Sequence, residues 1–420
     1  MYKTRKIPDF LHSKDPAFFE EADMITIPFN AACHDYYAEM SRKGDFLCWD
    51  DYLTSEEGVK LRSCFPESYW KGIMVDGKVY ALLSPFSSLK EYYVINKALA
   101  LKYGITEDRI KSENINELVS IVYQNEKAAG NEELIAFEAV GWNGIGKLEY
   151  PLVSAEGIGV QEENGKWKAR FLIDIPEYQA FIREINKLYL EGGYKNAGRQ
   201  REEGNFFVRL CTTFSEKSAG LMCLSLLNPG LQDKWGLDHF WIMEAGNQRK
   251  CRYRGAGCKV AVRSESKNSA LAMRVLAEIY QDADLSELLS YGIEGKNWSE
   301  TGDGKQIESL GDEIAFYAGN PFLIRTTTAE DEDRARILWN LIEQETSTLC
   351  GFHMDISKNI DVWEKIVSLY GMHSASYYSG MGEDLEKEEE EIRKQLRSID
   401  GYSVLEEIER QLNQFMEGEA

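Results

Sequence analysis

No stretch of this chain stays apolar for anything near the roughly 20 residues that a membrane-spanning helix needs. Proline is scarce at 9 residues and histidine at 5. No two histidines stand at the i, i+4 spacing of a zinc-binding helix. The cysteines (Cys33, Cys48, Cys64, Cys211, Cys223, Cys251, Cys258 and Cys350) include no C-x-x-C pair. That argues against a zinc ribbon or a thioredoxin-type site. Scattered cysteines are mostly buried apolar fillers. Cys251 and Cys258, bracketing RYRGAG, could nonetheless meet across a hairpin. Basic residues are outnumbered, 48 Lys and Arg against 70 Asp and Glu, for a net charge of −22. Such a chain is repelled by phosphate backbones, which argues against nucleic-acid binding as its main task. There is no G-x-S-x-G, H-E-x-x-H, Walker loop or kinase set. Gly141 to Gly146 is spaced G-x-x-G-x-G, which is not a dinucleotide fingerprint. With 70 carboxylates some close pairs are inevitable, so paired acids alone do not indicate a glycosidase. No metal, cofactor or catalytic residue is expected.

What is present is a soluble globular composition, 43% hydrophobic and 28% charged over 420 residues. That length fits about two domains with cores of their own. Val75 to Pro85, VDGKVYALLSP, organises the rest. Asp76-Gly77 is a turn, Val79 to Leu82 an apolar run suited to a strand buried on both faces, and Ser84-Pro85 a break. A polar-aromatic segment, Lys90 to Asn96, follows, then a short helix-like piece ending at Ile105. Strands are predicted at Asp23 to Ile27, Lys168 to Ile173, Gly204 to Leu210, His239 to Met243 and Cys258 to Val262, with a turn at Asn228-Pro229-Gly230. Helical spacing predicts helices over 34–43, 114–127, 178–189 and 269–280. The acidic run Gly382 to Glu391 reads as a solvated helix face. Leu405, Ile408, Leu412 and Phe415 mark a terminal helix too short for a coiled coil, which should dock on its own lobe.

Several segments, each weak but in a specific order, resemble one family. They are GKVYALLSP with the aromatics and NKALALKYGI after it, DMITI, the Gly44–Leu53 and PESYW segments, IPEYQAFIREINKLYLEGGY, KVAVRSESKNSALAMRVLAEIYQD, LLSYGIEGKNW, GNPFL and GFHMD. The chain is similar from about residue 20 onward to the extracellular solute-binding proteins of ABC transporters, in the carbohydrate branch related to maltose-binding protein. The resemblance implies an α/β fold of two lobes, periplasmic-binding-protein-like, with a hinge and an inter-lobe cleft. Lobe one would hold 1–84 plus 245–310, and lobe two 85–244 plus 311–420. It implies a non-catalytic monomer that captures a carbohydrate, expected to be an oligosaccharide, for delivery to ABC permease subunits. The family is extracytoplasmic and lipid-anchored. Here MYKTRKIPDF is followed by no apolar signal region, and residues 1–22 lack the apolar strand that opens the family's first lobe. A strand–helix–strand unit takes roughly 30 residues or more. A truncated or mis-started gene product would account for both gaps.

Sugar rings present flat C–H faces that stack on aromatic rings, while their hydroxyls need amide or carboxylate partners. Loop aromatics beside polar groups are therefore the candidate substrate-binding residues: Phe29 with Asn30, Phe86, Trp142 with Asn143, and Trp235. Trp298 and Trp339 read as packing residues, and His34 as a surface or packing histidine. Two rivals stay open. One is a carbohydrate-active enzyme using cleft carboxylates. The other is a sensor or remnant that binds nothing because its first lobe is incomplete.

Overall fold

The computed structural model describes residues 22–27, 36–83, 90–139, 157–196, 204–232, 234–245, 259–310, 319–328, 330–344 and 348–418. Eight strands build its two main sheets. They are β1 (Met24–Ile27), β2 (Ala81–Leu83), β3 (Lys90–Asn96), β4 (Ile135–Ala139), β5 (Tyr194–Asn196), β6 (Phe206–Thr213), β7 (Phe240–Glu244) and β8 (Lys259–Val262). One sheet has three strands in the order β1-β8-β2, all antiparallel. The other has five, in the order β7-β3-β6-β4-β5. Its β3 is antiparallel to both β7 and β6, while β6, β4 and β5 run parallel. Lys90 to Asn96 is thus an interior strand of the second sheet. Its polar ends obscured that in the sequence; the middle, Tyr92, Val94 and Ile95, is fully buried.

Helices cover these sheets where the sequence is amphipathic. In the first unit, α1 (Tyr36–Lys43) and α2 (Glu67–Ile73) pack near β2. Tyr69 on α2 is buried, its hydroxyl accepting from Leu83 N and donating to Leu83 O, which fixes the last residue of β2. In the second unit, α3 (Ile115–Ala128) buries Leu118, Val119 and Val122. The stripe of α4 (Pro176–Leu190) divides between two cores: Ile185 and Leu188 face the sheet, Tyr178 and Ile182 a separate helical core. Helix α5 (Glu216–Ser225) starts two residues after β6, capped by Ser215, whose Oγ accepts from Ser218 N. Asn228-Pro229-Gly230 opens a short helix, Pro229–Gln232, rather than a simple turn.

Past β8 the chain returns to the first unit through α6 (Ser269–Gln281) and α7 (Ala283–Tyr291). Contacts past α7 bear on where the lobe boundary falls. Residues 319–344 contribute side chains to the first unit's core. Asn320 Nδ2 donates to Tyr280 O at 2.9 Å and Arg325 pairs with Glu287 at 2.7 Å. Phe322 packs on Phe65, and Ile342, on α8 (Arg334–Gln344), lies in the first unit's core with Cys350. The chain passes over at residues 349–352, where Leu349 and Phe352 belong to the other core. Gly351, at φ +86, sits so close to α2 that a Cβ would come within 2.7 Å of Lys71 O. From there α9 (Ile360–His373), α10 (Leu385–Ser398) and α11 (Gly401–Glu417) join α4 and the hairpin Ile158–Glu163/Lys166–Phe171. Helix α11 docks on this unit through Val404, Leu405, Ile408 and Leu412, as its stripe predicts. The acidic run of α10 is not wholly solvated: Glu389 is buried, paired with Arg183 and Arg393.

Candidate functional site

Strand direction gathers one end of each sheet at the crossing between units. In the first sheet Ile27 pairs with Lys259, and Lys259 with Leu83. The chain therefore leaves β1 and β2, and enters β8, at a single edge. In the second sheet Lys90 lies opposite Thr213, Ala139 beside Leu210 and Asn196, and Glu244 opposite Tyr92. This end collects the start of β3 and the ends of β4, β5, β6 and β7. The two connections between the sheets, from Leu83 to Lys90 and from Ala245 to Lys259, thus begin and end side by side. Ala245 N donates to Glu91 O at 2.8 Å, and Lys90 Nζ meets Glu244 Oε1 at 3.0 Å. In open α/β sheets ligands bind in the crevice outside the carboxyl ends of strands, because connecting segments diverge there and leave room.

The second unit meets the first at this same end. Thr213 Oγ1 bonds Ser218 Oγ at 2.8 Å, fixing the entry to α5. Ser215 Oγ donates to Asp331 Oδ2, and Lys217 Nζ donates to Glu330 O at 2.7 Å. The first turn of α5 is thereby tied to the segment that precedes α8. One residue before the end of β4, Glu138 is buried with its Oε2 accepting from Arg209 Nε at 2.5 Å. The Arg209 guanidinium lies 4.6 Å from the Phe206 ring centroid and also donates to Cys223 O.

Of the residues expected to bind substrate, Phe29 and Asn30 follow the end of β1, Phe86 follows β2, and Trp142 and Asn143 follow β4. All five lie outside the described residues. Their described anchors, Ile27, Leu83 and Ala139, all stand at the crossing end. Trp235 does not share that position. Its half-buried ring stacks on His239, centroids 5.4 Å apart at 7°, and packs against Phe206 and Phe240. Phe240 pairs with Asn96, at the end of the second sheet remote from Lys90 and Glu244. Gly204 leaves the room, since a Cβ there would stand 3.1 Å from the indole. This placement is that of a packing residue. Trp298 is buried under Arg325, 5.0 Å from its ring, and Trp339 packs on Phe322. Sequence reasoning placed a crossing near Glu244 but did not single out Lys90, Ser215 or Lys217. Only the serine carried a local signal, as a helix cap after a strand. Among the described residues no His, Cys, Asp and Glu group is placed to hold a metal ion, and no helix is long and apolar enough to cross a membrane.

Two α/β units around a crossing with gathered strand ends define a two-lobe, periplasmic-binding-protein-like architecture, and the comparisons agree. No protein-family model matches the chain. It is similar to a carbohydrate ABC transporter substrate-binding protein of Streptococcus pneumoniae serotype 4, at 22% identity over 410 residues, covering 92% of this chain and 79% of the relative. Among solved structures it resembles the N-glycan transport solute binding protein (NgtS) of Streptococcus pneumoniae, with a TM-score of 0.73 at 17% identity, covering 98% of this chain and 91% of the other. The same protein in complex with Man1GlcNAc gives 0.71 at 19%, covering 98% and 90%. An HMO-binding, ABC-transporter-associated solute binding protein of Bifidobacterium longum infantis gives 0.60 at 15%, covering 95% and 89%. The fold is that of these solute-binding proteins, and the resemblance drawn from the sequence stands.

Proposed function

We propose that this chain is the substrate-binding component of an ABC importer, capturing an oligosaccharide between its two units for handover to membrane permease subunits. One observation carries the reading. Both sheets direct their strand ends to the same crossing, in a chain that shares the fold of an N-glycan-binding protein along nearly its whole length. Ligand binding closes such lobes because the closed form makes contacts to the sugar that the open form lacks. Phe29, Phe86 and Trp142 supply rings for stacking, and Asn30 and Asn143 supply amides for hydroxyls. We place lobe one at residues up to 83 with 259–350, and lobe two at 90–245 with 352–418. The protein acts outside the cytoplasm, as a monomer, without turning its ligand over.

Calorimetry against a panel of oligosaccharides, including mannose- and GlcNAc-containing ones, tests this reading. Saturable binding is expected, and Trp142→Ala should weaken it by about tenfold to a hundredfold, the loss of about 1–3 kcal/mol of stacking. No reducing ends should appear on prolonged incubation. Absence of binding across the panel would defeat the proposal. Hydrolysis abolished by replacing a single cleft carboxylate would turn it towards an enzyme.

A further inference from the structure

A cavity of about 390 Å³ lies between the units, and none of its walls is one of the strand ends described above. One wall is the Asp76–Gly77 turn with Arg42 and Lys71, at the ends of α1 and α2. The other is the 350–358 segment with one stripe of α11. That stripe, Glu407, Arg410, Gln411 and Gln414, recurs at helical spacing and is distinct from the one buried in the core.

In a chain of net charge −22, this cavity collects Arg42, Lys71, Lys358 and Arg410 against only three carboxylates. All three acids are already engaged. Asp76 accepts from Arg42 through both oxygens at 3.1 Å, Glu407 accepts from Arg410 and Gln411, and Asp355 accepts from Ser357 N at 2.9 Å. Gln411 is spent as well, accepting from Asp355 N at 2.8 Å and donating to Asp355 O at 2.6 Å. The Gln411 amide is thus closed to a neutral sugar. Lys71 and Lys358 come one from each wall; among the described residues neither is in direct contact with a carboxylate, and the charge of Lys358 acts at longer range on Asp355 and Glu407. Phe352 and Phe415, rings 5.5 Å apart, add an apolar surface. The volume suits an ion with a carbon body, since ligand pockets start at about 300 Å³.

We infer that this cavity binds a small dianion, a dicarboxylate or a phosphate monoester, held between Lys71 and Lys358 against the Phe352–Phe415 pair. Because the lysines belong to different units, the bound anion ties the units together and raises the melting temperature by mass action.

The test uses the full chain. Succinate and glycerol 3-phosphate are titrated by calorimetry and in thermal melts, with glycerol as the neutral control. Saturable binding of one of them, with a rise in melting temperature, is expected, and which one binds identifies the source. Lys71→Met and Lys358→Met should each weaken it by about tenfold or more. Lys60→Met, on an exposed helix, should change nothing. Circular dichroism confirms that the variants are folded. The inference fails if neither anion binds at millimolar concentration, or if both lysine variants bind as the parent does. It also fails if binding disappears at about 0.15 M salt, which would mark an adventitious ion only.

Discussion

Replacing Arg209 by methionine removes one half of an ion pair that has almost no access to water. Arg209 is 1% exposed and Glu138 3%. The pair joins β6 to β4, register partners one step from the end of β4. Methionine roughly keeps the volume over Phe206 but leaves the Glu138 carboxylate in apolar surroundings with its arginine donor gone. Removing one partner of a buried pair costs about 3–5 kcal/mol, because the remaining charge is desolvated without compensation. Replacing both partners by apolar residues usually costs far less. Arg209→Met with Glu138→Leu should therefore recover most of the loss. Urea denaturation followed by tryptophan fluorescence gives the midpoints, and an unchanged slope shows that stability alone has moved. The difference between the double variant and the sum of the single ones isolates the coupling. A single variant costing under about 1 kcal/mol, with a double variant no better, would refute the desolvation argument.

Gly351→Ala should destabilise by about 2 kcal/mol or more, since a left-handed alanine alone costs about 1–2 kcal/mol and its Cβ would press on Lys71 O; thermal melts that match the parent would show that this turn is not seated on α2. Burial raises the pKa of Glu126, but hydrogen bonds from Lys102, Tyr103 and Asn131 outweigh it and bring the group from 4.5 to about 2. A carboxyl whose folded pKa is depressed stabilises above its unfolded value and loses that contribution as pH falls through the folded one. Urea midpoints should therefore fall between about pH 4.5 and 2, and less steeply in Glu126→Gln; equal slopes would contradict the assignment.

Much of the fold was legible because its signals are local. A run such as MITI, the stripe Tyr178, Ile182, Ile185 and Leu188, and the terminal stripe Leu405, Ile408 and Leu412 each carry the period of the element they form. The order of such segments was enough to suggest two lobes. What the sequence could not carry is which distant surface each element meets. Ile337, Leu338, Leu341 and Ile342 carry helical spacing, yet only contacts such as Asn320 with Tyr280 and Phe322 with Phe65 assign their segment to the first unit. The candidate site divides in the same way. Loop aromatics beside polar residues look alike along a chain, so Trp235 matched Trp142 as a candidate. The direction of the strands separates them: β4, before Trp142, ends at the crossing, and β7, after Trp235, begins at the far end. Composition set the net charge of −22, but only folding drew four cations, Arg42, Lys71, Lys358 and Arg410, around one cavity. Periodicity is a property of neighbours in the chain, whereas a site is made by residues hundreds of positions apart, whose meeting is fixed by strand order and packing.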